Sequence, residues 1–287
     1  NHTGGVEIIS PPTAAESDWQ RTIHKVFRAI SKDFELYTNH LCSSHVHVSR
    51  GPDPKAKYGK TDLIDIAKGA FFWEEALRGL LPYARQVNRY ALPNHDAFAS
   101  DEYLRVGVDG WGPLFDKLVD LMGAQGTPDK ERKEAFAKGL HAVARDGTPV
   151  KYLSTNFLSF LRIDTVEFRR QAGAASATTA IYRVLLALTL NVSALHYPFR
   201  NASGWKGYKS TEELILEAMR TLHELPRNCE QPGFEGWLRT CAADYAHESD
   251  TYTKFTEKDI NKKEKQLRKK EGSEPEQEAE AGSSSAP

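Results

Sequence analysis

The stretch Cys42-Ser43-Ser44-His45-Val46-His47-Val48-Ser49 decides how the rest of the chain is read. Side chains alternate across a strand, so His45 and His47 share one face and Val46 and Val48 the other. Each imidazole carries two nitrogens that need partners, which makes such a pair a poor choice for apolar packing alone. A second stretch, Thr165-Val166-Glu167-Phe168-Arg169-Arg170, repeats the pattern. There Glu167 and Arg169 share one face, and Val166, Phe168 and Arg170 the other. A third, Gly5-Val6-Glu7-Ile8-Ile9-Ser10, is a short apolar run holding a single acid. Three strands with ionisable residues turned to one side suggest a sheet whose polar face is the site.

Outward from these strands, helical spacing dominates. Trp19, Ile23, Val26, Phe27, Ile30 and Phe34 predict a helix over 14–36, and Leu63, Ile66, Ala67, Ala70, Phe71 and Leu77 predict another over 62–81 that ends at Pro82. Further helices are expected over 113–122, 128–145, 210–223 and 234–247, with strand and loop over 151–163. The apolar run 177–195 reads as a buried helix, too short and interrupted to span a bilayer. Residues 1–250 are expected to form one α+β domain. Residues 251–287, rich in Lys and Glu and then acidic with Ser and Pro, are expected to be a largely disordered charged tail.

Charge excludes some function classes. With 38 Lys and Arg against 39 Asp and Glu, no net field argues for a nucleic-acid or membrane-surface partner. Cys42, Cys229 and Cys241 are odd in number and lack paired spacing, which fits reduced thiols and a cytoplasmic location. The opening residues enter an expected strand at once and carry no signal-peptide pattern, so further residues are expected upstream. Nothing matches a glycine-rich phosphate loop or a G-x-S-x-G nucleophile elbow.

The chemistry of the two main motifs stays open on spacing alone. His45-x-His47 suits either metal ligation or a hydrogen-bonded polar core. Glu167-x-Arg169 suits either a site or an ion pair on a solvated face. Carboxylates with a neutral imidazole favour Mg²⁺ or Mn²⁺, and a guanidinium favours phosphate or developing negative charge.

The ordered set Val6-Glu7-Ile8-Ile9-Ser10-Pro11, Ser44-His45-Val46-His47-Val48, Arg85-x-x-Asn88, Asn156 and Thr165-Val166-Glu167-Phe168-Arg169 resembles the putative amidoligase family. Its members are common in fungi and belong to the glutamine synthetase-like carboxylate–amine ligases. The resemblance covers about residues 5 to 200. It implies a curved antiparallel sheet with helices outside and a concave face holding ATP and Mg²⁺ or Mn²⁺. It implies that a substrate carboxylate is phosphorylated and that an amine then displaces phosphate to give an amide, on small molecules or peptides. In that picture Glu7, His47 and Glu167 are metal ligands, and His45, His47, Glu167 and Arg169 are catalytic. Arg169 and Arg85 contact ATP or phosphate, and Asn88 and Asn156 contact substrate. The family opens with a strand bearing two acids just upstream of the Glu7 region, which this chain lacks. A non-catalytic relative that binds through the same pocket is the alternative. A His-x-His metal hydrolase is a further one, for which His95, His141, His196 and His223 fall in expected loops or helices.

Overall fold

The computed structural model describes residues 7–39, 42–51, 53, 56–88, 90–96, 105–123, 126–141, 149 and 151–245. The expected charged tail over 251–287 lies outside the described residues. In chain order the elements are α1 (Trp19–Ile30), β1 (Ser43–Val48), α2 (Lys60–Phe72), α3 (Glu74–Arg78), α4 (Tyr83–Gln86), α5 (Val106–Asp109), α6 (Gly112–Leu121), α7 (Asp129–Gly139), β2 (Thr155–Asn156), α8 (Leu158–Ile163), β3 (Val166–Ala172), α9 (Ala177–His196), α10 (Phe199–Ala202), α11 (Thr211–Leu222) and α12 (Phe234–Tyr245). This is a mixed helix-and-sheet architecture with an open, three-stranded antiparallel sheet in the order β1-β3-β2.

Helix α9 organises the packing. Ser176 starts it, its hydroxyl accepting a hydrogen bond from the Thr179 N–H at 3.2 Å. Its apolar side chains pack on α1, α2, α11 and β1. Gly69 of α2 lets it come close, because a Cβ there would lie 2.6 Å from the Ala194 Cβ. By length and composition α9 could cross a membrane, contrary to the expectation that it is too short. About half of it is buried inside the protein, against the helices and strand just named.

The helix layer covers one face of the sheet. Val166, Phe168 and Val48 are buried there, in a core with Phe71, Phe72, Trp111 and Leu185. Glu167, His47 and Asn156 form one cross-strand row on the other face, since Glu167 pairs with His47 on β1 and with Asn156 on β2. The register slips once. Ser44 pairs with Gln171 and Val46 with Phe168, so Arg169 and Arg170 together oppose His45 in a β-bulge. The bulge resets the alternation, so that Arg170 and Gln171 both serve the helix side. Arg170 pairs with Glu74 of α3, and Gln171 donates to the Arg183 carbonyl of α9 at 2.7 Å.

Four further expectations need correction. Glu7–Ser10 is exposed and in no strand, with Ile8 and Ile9 48% and 81% accessible. A short apolar run is satisfied only when an edge is near enough to pair with it, and composition cannot report that. Residues 5 and 6 lie outside the described residues. The helix expected over 62–81 breaks at buried Trp73, and that over 14–36 is confined to Trp19–Ile30. The 151–163 region contains a two-residue strand followed by a helix, α8.

Candidate active site

The open face of the sheet gathers its ionisable groups around one carboxylate. Glu167 Oε1 accepts from the Arg169 guanidinium at 2.6 Å, and Oε2 accepts from Asn156 Nδ2 at 2.7 Å and Ser159 Oγ at 3.1 Å. His45 Nδ1 lies 3.4 Å and His47 Nε2 3.6 Å from the same Oε1. The carboxylate and guanidinium side chains are 6% and 9% accessible, whereas the two imidazoles above them are 32% and 40% accessible. A nearly buried ion pair is thus roofed by two rings that face solvent.

Each ring is oriented from its far side. His47 Nδ1 sits 3.0 Å from Thr165 Oγ1, and His45 Nε2 sits 3.2 Å from Ser43 Oγ. The tautomers in which these nitrogens accept from the hydroxyls leave an N–H on the ring edge that faces Glu167. Burial, then the Arg169 charge and those of Arg85 and His47, pushes His45 down to about 4, against the pull of Glu167. Burial would raise the Glu167 carboxyl, but Arg169, the Asn156 hydrogen bond and the two imidazoles outweigh it and hold the group below the usual range. At neutral pH the cluster therefore presents a carboxylate, a guanidinium and a neutral His45 ring.

Arg85 supports this cluster from below. Its guanidinium donates to the carbonyls of Arg169 at 2.7 Å and Arg170 at 3.1 Å, the two residues of the bulge. Burial first, and then Arg170, Arg169 and Arg183, lower it to about 10. The structure thus commits Arg85 to holding the backbone that aims Arg169. Asn88 is buried in a turn where its Oδ1 accepts from the Tyr90 N–H at 2.8 Å. His45, His47, Glu167, Arg169 and Asn156 are brought together; Glu7, on its exposed segment, is carried there by no described strand.

Four contributors escaped the sequence reading: Ser43, Thr165, Ser159 and Tyr152. The Asn156-x-x-Ser159 spacing at a helix start was a usable signal for Ser159, whose hydroxyl also accepts from Asn156 at 3.1 Å. Thr165 and Ser43 could be found only from strand pairing. The Tyr152 ring, 5.9 Å from the Arg169 guanidinium carbon, follows from the path of the chain before β2.

An all-protein Mg²⁺ cage does not fit the described groups as they stand. The cluster offers one carboxylate, both of whose oxygens are engaged, and Mg²⁺ asks for several oxygen ligands in octahedral array. Among the described residues no group of three or more His, Cys, Asp or Glu side chains is arranged to hold a metal ion. A guanidinium reads carboxylate or phosphate oxygens, and a carboxylate beside it reads an amine.

No curated protein and no solved structure matches the chain. A family model described as "Putative amidoligase enzyme" matches residues 2–187, which contain every residue of the cluster. The chain therefore belongs to the amidoligase family.

Proposed function

We propose that the chain is an ATP-dependent carboxylate–amine ligase that forms an amide through an acyl phosphate. The observation that carries this reading is the Glu167–Arg169 pair under His45 and His47, inside the segment matched by the family model. A ligase of this kind must bring together an acid, an amine and a phosphoryl group. Arg169 offers the contact for the carboxylate or phosphoryl oxygens, and Glu167 the contact for the amine. The carboxylate oxygen attacks the γ-phosphorus and ADP leaves. The amine nitrogen then attacks the acyl carbon, the C–N bond forms, and inorganic phosphate and a proton depart. The three described strands would be part of a glutamine synthetase-like sheet. Mg²⁺ or Mn²⁺ would arrive with the ATP phosphates, because among the described residues the protein groups make no cage of their own.

One observation favours a second reading, a binding protein without catalysis: both Glu167 oxygens are already hydrogen-bonded. The two separate by measuring ADP release from ATP with Mg²⁺ in pooled carboxylates and amines. The ligase releases ADP with sustained turnover when acid and amine are both present and at most one ADP per site with acid alone, and Glu167→Gln abolishes the release. Binding of acid or amine with no ADP release supports the second reading.

A further inference from the structure

Behind the site, on the helix side of β3, three polar atoms have no hydrogen-bond partner among the described residues: Trp73 Nε1, Arg170 Nε and Gln171 Oε1. Their residues are at most 3% accessible. Trp73, Arg170 and Gln171 all line one small cavity between α2, the Trp73 junction, α9 and the sheet, together with Ser154, Thr155 and Phe168. Its volume is ≈ 20 Å³, enough to admit water, which needs roughly 10–15 Å³. Leaving three such groups unpaired would cost several kcal/mol in total, at about 1–3 kcal/mol each. Native interiors rarely tolerate that.

We propose that this cavity is a binding site for one structural water molecule. The complement is right for water: two N–H donors, from Trp73 and Arg170, meet its two lone pairs, and the Gln171 carbonyl takes one of its protons. Ammonia, with one lone pair, cannot satisfy both donors. The other groups of Arg170 and Gln171 are taken, the Arg170 Nη atoms by Glu74 and the Gln86 carbonyl and Gln171 Nε2 by the Arg183 carbonyl. The water would tie Trp73 to the two residues that follow Arg169, and so brace the bulge from the side opposite the cluster. This inference is independent of the ligase reading.

The test is solution NMR on the full, ¹⁵N-labelled chain. The expected result is cross-relaxation of the Trp73 indole proton with a water of nanosecond or longer residence. Oxygen-17 relaxation dispersion should also lose one long-lived water in Gln171→Leu, a substitution close in volume. Absence of water cross-relaxation at Trp73, identical dispersion in wild type and variant, or xenon taken up at this cavity would each overturn the proposal. The cross-relaxation measurement needs only the wild-type chain, so it decides even if the variant fails to fold.

Discussion

Two neighbouring arginines on β3 do opposite things, and the contrast shows what distinguishes a lock from a site. Arg170 turns to the helix layer and pairs with Glu74, with both side chains essentially sealed at 2% and 1% accessibility. Glu74 is further satisfied by the Asn94 N–H at 2.9 Å, and the Asn94 amide bonds both the N–H and the carbonyl of Thr155. This pair fastens β3 and β2 to α3. Arg169 turns the other way and makes the same kind of pair with Glu167, but under two imidazoles that solvent reaches. The chemistry of the pairs is alike; access differs. A β-bulge held by Arg85 separates them.

Breaking each pair should therefore give different losses. Arg170→Met strands the Glu74 carboxylate in the interior and is expected to cost about 3–5 kcal/mol in urea unfolding. The double change Glu74→Met with Arg170→Met should recover most of that. A single variant as stable as wild type would remove the lock from the account. Next in size is Arg85→Met, which takes charged donors from two buried carbonyls and is expected to cost about 1.5–3 kcal/mol. It should also raise the His45 pKa, since Arg85 helps to lower it.

Arg169→Met is expected to cost less, about 1–2 kcal/mol, because the Glu167 oxygens keep Asn156, Ser159 and the imidazoles. Its effect should fall on ligand affinity, with anion binding weakened at least tenfold by calorimetry. Equal stability losses in Arg169→Met and Arg170→Met would erase the distinction between the two pairs.

The cluster also carries a pH dependence. His45 titrates near 4 in the folded chain against 6.5 when unperturbed, so the unfolded state takes up the proton first as the solution is acidified. Its contribution to stability is present in full above pH 6.5 and is lost progressively as pH falls towards 4. Glu167, whose pKa is depressed, adds a contribution present above its unperturbed value of 4.5 and lost below it. His45→Gln should flatten the slope of stability between pH 6.5 and 4. By NMR titration, Arg169→Met should raise the His45 pKa and Glu167→Gln should lower it further. An unchanged titration in both variants would separate His45 from the pair.

The parts that were legible in the sequence are those where period and chemistry coincide. Alternation along His45–Val48 and Val166–Arg169 placed each side chain on the face it occupies, and the apolar spacing of α2, α6, α9, α11 and α12 marked the helices that build the core. The cluster around Glu167 was foreseen as far as five of its members. What escaped depends on pairing between distant segments. The bulge, which sends Gln171 to the helix face, exists only in the register of β1 against β3. The destination of Arg85 could not be read from Arg85-x-x-Asn88, because backbone carbonyls leave no mark in composition. Glu7 had the right residue type on a segment that finds no sheet edge.

Glu167 and Arg169 are proposed as the working pair of a ligase. The measurement that tests it most directly is calorimetric titration of ATP with Mg²⁺ into wild type, Arg169→Met and Glu74→Met/Arg170→Met, each first shown to be folded. Binding by wild type and by the double variant, with a tenfold or greater loss in Arg169→Met, is the expected result. No binding by folded wild type, or binding untouched by Arg169→Met, would contradict it.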